Sequence, residues 1–318
     1  MRIITIEEIR AVLPRIDPFP AIEAAFSSYS TGRAVVGPVG ELLFDTPPGD
    51  VHIKYGYLQE DDYYVVKVAS GFYDNPQLGL ASSNGLMLLF DQKTGVGLAV
   101  LLDEGYLTDI RTAVAGAVAA RYLAPRPVEC IGIVGSGTQA RLQVDYLYEL
   151  TGCQRVMVWG RTSEKVEHYR SEMEERGFKV KVAPSAEYLA SKCNLIVTTT
   201  ASKEPLFEAD SVVKGTHITA VGSDSPDKQE LDPWILKKAD LVVADSITQC
   251  LERGEIAHAI RAGLIRKDKL VELGSVISGS TKGRSSEDQI TVADLTGVAV
   301  QDIAITKTVY EALNSQES

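Results

Sequence analysis

The sequence predicts a mixed α/β fold in which an antiparallel sheet precedes a doubly wound parallel one, and three observations carry the prediction. Residues 41–102 hold short β-branched and aromatic runs separated by turn formers. From residue 129 onward short apolar strands alternate with helices. A glycine loop, Gly135 to Ala140, joins the first of those strands to its helix.

The elements follow in chain order. Residues 5–30 read as one or two short helices, with Ile9, Val12, Leu13, Ile22 and Phe26 as apolar positions broken by Pro14 and Pro18. The runs ELLF, VHIKYGYL, YYVVKVAS, LMLLF and GLAVLL then alternate with PPGD, QEDD and DQKTG, which predicts an antiparallel sheet with hairpins. Residues 107–123 return to a helical period rich in alanine, the composition of a helix packed closely against its neighbours. Arg126-Pro127 marks a linker. The strands ECIGIVG, RVMVWG, KVKVA, CNLIVTTT, HITAVGSD and DLVVADS follow, with helices predicted after the first two, and residues 290–313 close the chain as strand, turn and helix.

Composition bounds the function. With 318 residues, 45% hydrophobic and 24% charged, the chain suits about two domains of roughly 150 residues. Its 32 basic against 43 acidic residues leave a net charge of −11, which argues against nucleic acid or an anionic membrane as partner and for a small molecule. No apolar run approaches the roughly 18 residues of a membrane span, and the acidic N-terminal stretch is unlike a signal peptide, so a cytoplasmic location is expected. The four cysteines, Cys130, Cys153, Cys193 and Cys250, show no CxxC pair and no histidine at ligand spacing, so neither a disulfide framework nor a metal site is expected.

The glycine loop carries the first chemistry. After the strand Cys130 to Val134, Gly135 permits a tight turn, Ser136 and Gly137 let backbone approach a pyrophosphate, and Thr138 and Gln139 open the helix. Ala140 stands where a small residue lets helix and strand pack. This is a Rossmann-type dinucleotide signature. At the end of the next strand an acid would bind the ribose 2′-hydroxyl of NAD; Arg161, Thr162 and Ser163 stand there instead, so the cofactor leans to NADP(H), with NAD(H) the alternative. The competing structural reading is a solvent-facing arginine in a turn where Thr162 or Ser163 caps the helix.

Lys67 lies in the middle of the apolar run YYVVKVA, where an ammonium must find a partner or lose its proton unless the strand is an edge facing water. Arg111, early in its helix, offers a bidentate grip for a carboxylate, or else is a surface residue or a partner of Asp109. Asp224 follows an apolar strand at its carboxyl end, where doubly wound sheets place ligands, although Ser225-Pro226-Asp227 is also turn chemistry. Thr198, Thr199 and Thr200 end another strand and are candidate cofactor contacts, and Gly297 permits close backbone approach in the tail.

Four segments together resemble the ornithine cyclodeaminase and mu-crystallin family, which includes archaeal alanine dehydrogenases and ketimine reductases. They are VVKV around Lys67, YLTDIRTA around Arg111, the loop from Gly135 to Arg141, and GSDSPDKQEL from Gly222. The block from Gly71 to Arg111 also resembles the branch assigned to ectoine utilisation. The resemblance implies a Rossmann dinucleotide domain, residues 126–295, inserted into an α+β substrate-binding and dimerisation domain made of 1–125 and 296–318, with the active site in the cleft. It implies a homodimer acting on a small amino or keto acid or a cyclic imine. It assigns Lys67 and Asp224 to catalysis and Arg111 to the carboxylate.

Two chemistries come with the family: reduction of an imine of an α-keto acid, reversible as amino acid dehydrogenation, and cyclodeamination of ornithine or diaminobutyrate with bound NAD and loss of ammonia. The lack of an acid after Trp159 favours the first. Retention of Lys67, Arg111 and Asp224 disfavours a non-catalytic binder. One position departs from the family pattern. Many members carry an arginine two residues after the proline matched by Pro38, where this chain has Gly40; Lys54 is the candidate to supply the missing cation.

Overall fold

The computed structural model describes residues 1–72 and 74–315. The chain divides into two compact units, Met1–Arg111 with Val298–Ser318, and Thr112–Gly297. The first division falls inside the helix Tyr106–Leu123 rather than after residue 125. The reason is packing: Ala120 and Ala124 belong to the same apolar cluster as Ile131, Ile133 and Leu147, so the later part of this alanine-rich stretch is core of the second unit.

The first unit is built on a seven-stranded sheet. Its strands are β1 (Arg2–Ile4), β2 (Ala34–Val36), β3 (Gly40–Asp45), β4 (Pro48–Leu58), β5 (Tyr63–Phe72), β6 (Ser83–Asp91) and β7 (Gly97–Leu101). The order is β1-β7-β6-β5-β4-β2, with β3 also on β4. All pairings are antiparallel except β1 with β7. The N-terminal strand was not legible as one, because its three residues run directly into the capping box of Thr5 and Glu8 that starts the helix Ile6–Val12. Side chains alternate across the sheet, and Val65, Lys67, Met87, Leu89, Ala99 and Leu101 share its buried face. The C-terminal helix Ala299–Asn314 lies against β4 and β5 and against the helix Phe19–Ser30. It brings Ile303, Ile305 and Val309, all but fully buried, into the core. Lys67 therefore points into protein, and the reading of it as an edge lysine facing water is ruled out.

The second unit holds an eight-stranded sheet of parallel strands. These are β8 (Ile131–Val134), β9 (Arg155–Trp159), β10 (Lys179–Val182), β11 (Leu195–Thr198), β12 (His217–Ala220), β13 (Leu241–Ala244), β14 (Leu270–Glu272) and β15 (Thr291–Asp294). The order β10-β9-β8-β11-β12-β15-β13-β14 reverses direction beside β8, the doubly wound arrangement. Apolar clusters cover both faces, one holding Ile133, Val144 and Tyr169, the other Ile196, Ile218 and Ile235. Parallel strands buried on both faces read as continuous apolar runs, which is why this part of the fold was legible. The four cysteines are free thiols, and Cys130 and Cys193 sit with their sulfurs 3.5 Å apart. Among the described residues no helix is long and apolar enough to cross a membrane.

Candidate active site

The first unit carries a buried cluster of charge. Strands β4 and β5 pair so that Lys54 lies directly opposite Lys67. Two like charges in that position repel, and both are buried, so an anion must stand between them and the rest of the core. Asp302, in the first turn of the C-terminal helix, supplies it. Its Oδ1 accepts from Lys67 Nζ at 2.9 Å and lies 3.0 Å from Arg111 Nε. Arg111 also donates through Nη1 to Gln301 Oε1 at 2.9 Å.

Burial is the strongest influence on Lys67, and the Arg111 and Lys54 charges act with it against the pull of Asp302; the net result pushes the ammonium down to about 7. For Asp302 burial works upward, but Lys67, Arg111 and Lys54 outweigh it and hold the carboxyl below its ordinary range. Nearby Asp103, whose carboxylate accepts from the Leu107 backbone N–H, is raised by burial. The three sequence-predicted residues Lys54, Lys67 and Arg111 thus meet in one place. Arg111 is neither a surface residue nor dependent on Asp109.

Gln301 and Asp302 were not singled out in the sequence. The signal was present, because a lone acid inside the apolar run VAVQDIAI raises the same question as the lysine in YVVKVAS. Gly40 opens β3 opposite Ile53, the neighbour of Lys54 in β4.

The second unit carries the glycine loop. Gly135 has φ +121°, and a Cβ there would sit 2.5 Å from Thr199 Oγ1. A Cβ on Gly137 would meet nothing within 4 Å. The helix Thr138–Thr151 starts after Gly137 with no side-chain cap on its N-terminal amides. A positive-φ turn, an open approach and an uncapped helix N-terminus are together the cradle that a pyrophosphate needs, so the residues fit a dinucleotide. Ala140 is fully buried, in keeping with the packing role of a small residue. Arg141 holds the loop's shape, since its Nη1 donates to the carbonyls of Ser136 and Gly137 at 2.8 and 3.0 Å while Nε reaches Glu172 at 2.7 Å.

Arg161, Thr162 and Ser163 are exposed where β9 leads to the helix Ser163–Glu175. Thr162 occupies the N-cap position, but its hydroxyl makes no capping bond.

The strand ends beside this loop are fixed by one buried acid. Glu230 accepts from Thr198 Oγ1 at 2.7 Å, from the Thr200 backbone N–H, and from the Gly222 N–H at 2.9 Å. Thr198 is fully buried with its hydroxyl engaged in this way, so it braces the loop rather than offering that group to a cofactor. Thr199 donates to the Val134 carbonyl. Asp224 pairs with Lys228 Nζ at 2.7 Å, and its own carbonyl accepts from Arg253 at 3.3 Å. Gly297, with φ +82°, donates its N–H to Asp245 at 2.7 Å. Among the described residues no group of three or more metal-binding side chains is arranged to hold an ion.

The similarities to known proteins extend over the whole chain. The iminosuccinate reductase of Paracoccus denitrificans is 32% identical over 98% of this chain and 96% of its own. The structure of an archaeal alanine dehydrogenase dimer with bound NAD matches with a TM-score of 0.92 at 36% identity, covering 100% and 97% of the two chains. The Thermococcus litoralis Δ1-pyrroline-2-carboxylate reductase, solved with NADH and L-proline, matches with a TM-score of 0.93 at 28% identity, covering 100% and 98%. The model of the ornithine cyclodeaminase/mu-crystallin family matches residues 3–317. The lysine strand, the arginine helix and the glycine loop thus stand in a chain that belongs to the ornithine cyclodeaminase/mu-crystallin family.

Proposed function

We propose that this protein is a nicotinamide-dinucleotide-dependent reductase of imines of α-keto acids, running in reverse as an amino acid dehydrogenase. The observation that carries the reading is Lys67, a buried lysine brought down to about 7 and held by Asp302 beside Arg111. A group that titrates there exchanges a proton readily at neutral pH.

The bound dinucleotide supplies or accepts the hydride. Arg111, with Lys54 as the cation that stands in for the family arginine absent at Gly40, takes the substrate carboxylate and so fixes the position of the reacting carbon. The imine binds as its iminium; as hydride reaches the carbon the nitrogen regains a lone pair, and Lys67, as ammonium, gives that lone pair a proton so that the amine leaves protonated. In the oxidative direction the amine form of Lys67 takes the proton back. Asp302 holds Lys67 in register through both forms. Asp224, partly exposed and paired with Lys228, is the group that the family resemblance brings to the nitrogen; its exposure suits a carboxylate that passes protons to solvent.

The unit Thr112–Gly297 is the dinucleotide-binding part, with Gly135 to Ala140 around the pyrophosphate, Thr199, Thr200 and Gly297 toward the nicotinamide, and Arg161, Thr162 and Ser163 at the ribose. Their free hydroxyls and the arginine support a preference for NADP(H). The relatives solved with NAD or NADH make NAD(H) the comparison that matters. The other unit binds substrate. It is also the proposed dimer face, since Leu42, Leu43 and Phe44 of β3 are exposed together, and the matched archaeal alanine dehydrogenase is a dimer. Sedimentation equilibrium should report twice the chain mass; a monomer would overturn that assignment.

The cyclodeaminase reading is disfavoured by charge. Lys54, Lys67 and Arg111 surround a single carboxylate, a setting that repels the second ammonium of a diamino acid. The deciding assay follows dinucleotide oxidation with pyruvate plus methylamine and with pyrroline-2-carboxylate, using NADPH and NADH in parallel, and measures ammonia from ornithine and diaminobutyrate. Imine-dependent oxidation is the expected result. Ammonia release without net redox, and no imine reduction, would replace this reading with the cyclodeaminase one.

A further inference from the structure

Two polar atoms in the first turn of the C-terminal helix are buried and have no partner: Gln301 Nε2 and Asp302 Oδ2. Both residues are 1% exposed. Buried polar groups in folded proteins are almost always satisfied, so each such exception calls for a cause. The two are of opposite character. The orientation of the Gln301 amide is fixed by chemistry, because Arg111 Nη1 has only protons to give, so the atom it meets at 2.9 Å is the oxygen and the amide nitrogen is left as a donor. Asp302 Oδ1 meets both Lys67 and Arg111, which leaves Oδ2 as an acceptor. An unsatisfied donor and an unsatisfied acceptor on adjacent residues, both anchored to the same guanidinium, are the complement of a ligand that carries an acceptor next to a donor.

We infer that Gln301 and Asp302 read the head group of the substrate: Gln301 Nε2 donates to its carboxylate beside Arg111, and Asp302 Oδ2 accepts from the N–H of its α-nitrogen. This rests on the proposed reductase reading and narrows it. The substrate class is an α-imino acid bound as its iminium, or the α-amino acid in reverse, with carboxylate and nitrogen on neighbouring atoms. A 2-keto acid offers a carbonyl oxygen where the iminium offers a proton, and so sets lone pair against lone pair at Asp302. An imine without a carboxylate leaves Gln301 and Arg111 unmatched. Rejection by unpaired buried polar groups is the strong form of discrimination.

The test compares three ligands on the whole protein: pyrroline-2-carboxylate, the same ring without its carboxylate, and pyruvate as a competitive inhibitor. Gln301→Met keeps the volume and removes the Nε2 donor together with the Oε1 that Arg111 meets. It should raise KM for pyrroline-2-carboxylate by about tenfold to a hundredfold, leave KM for the dinucleotide unchanged, and lower kcat/KM for the decarboxylated ring by far less. Asp302→Asn turns the acceptor into a donor. It should weaken the imino acid and tighten pyruvate, a crossing that loss of structure cannot produce. Equal losses on both imines in Gln301→Met, or no change on either, overturns the inference, and this holds even where Asp302→Asn fails to fold. Wild-type protein that reduces no α-imino acid overturns the parent reading and the inference with it, whereas wild-type activity with unaltered ratios in Gln301→Met overturns the inference alone.

Discussion

Lys67 shows how much one residue can disclose. In the sequence it is a charge in an apolar strand; in the structure it is a charge that burial and two neighbouring cations bring down to about 7, with Asp302 working the other way. The direction of the pH dependence follows. With Lys67 as the proposed proton donor, imine reduction needs the ammonium, so kcat/KM should fall as pH rises through about 7, while the reverse oxidation needs the amine and should rise over the same range. Parallel profiles in the two directions would remove Lys67 from proton transfer. Lys67→Ala should cost about a hundredfold to ten-thousandfold in kcat, and full activity in that variant would sink the assignment. Arg161 makes a second residue-scale prediction: Arg161→Ala should raise KM for NADPH about tenfold and leave NADH unchanged, the difference expected for losing one exposed charge-assisted contact. What the sequence did not disclose at this scale is pairing. Lys54, Lys67 and Arg111 were each legible, but the carboxylate that unites them lies 235 positions from Lys67, and no local pattern joins residues so far apart.

At the scale of elements, legibility followed periodicity. The strands β8, β11 and β12 and the helix around Arg111 have regular apolar patterns and were read; β1 and β14, three residues each, are too short to show one. The helix Gly254–Arg261 is not legible in the pattern either, although its residues brace the Asp224 segment: Glu255 accepts from the N–H groups of Glu230 and Leu231, and His258 bonds the Lys228 carbonyl. The glycine loop is legible as an element, and the geometry of its turn sets what a side chain there would cost. Gly135→Ala meets a left-handed φ and an oxygen at 2.5 Å, a strain of about 1–3 kcal/mol. It should lower Tm and weaken dinucleotide binding, measured by fluorescence titration. A melting curve and a dissociation constant both equal to wild type would mean that the turn tolerates a side chain and that the loop is not the tight cradle described.

For the whole molecule, the net charge of −11 argues against polyanions, while the local excess of cations around Asp302 favours a small anion; the salt-screened field of the surface and the contacts of a buried cluster act over different distances. The more consequential feature at this scale is that one unit is made from both ends of the chain. The C-terminal helix gives that unit Asp302, the counter-charge for Lys67, and with it Ile303, Ile305 and Val309. A chain that stops after Gly297 uncovers the face of β4 and β5 that this helix covers and loses three buried aliphatic side chains worth about 1.5–3 kcal/mol each. That is a large share of a stability of about 5–15 kcal/mol. The segment 112–297, by contrast, keeps its eight strands, both apolar clusters and the glycine loop. Expressed alone, it should unfold cooperatively by circular dichroism and bind the dinucleotide without reducing any imine, whereas the chain 1–297 should show only the transition of that segment. A fragment 112–297 that fails to fold, or a chain 1–297 that retains imine reduction, would mean that the two units do not divide stability and chemistry in this way.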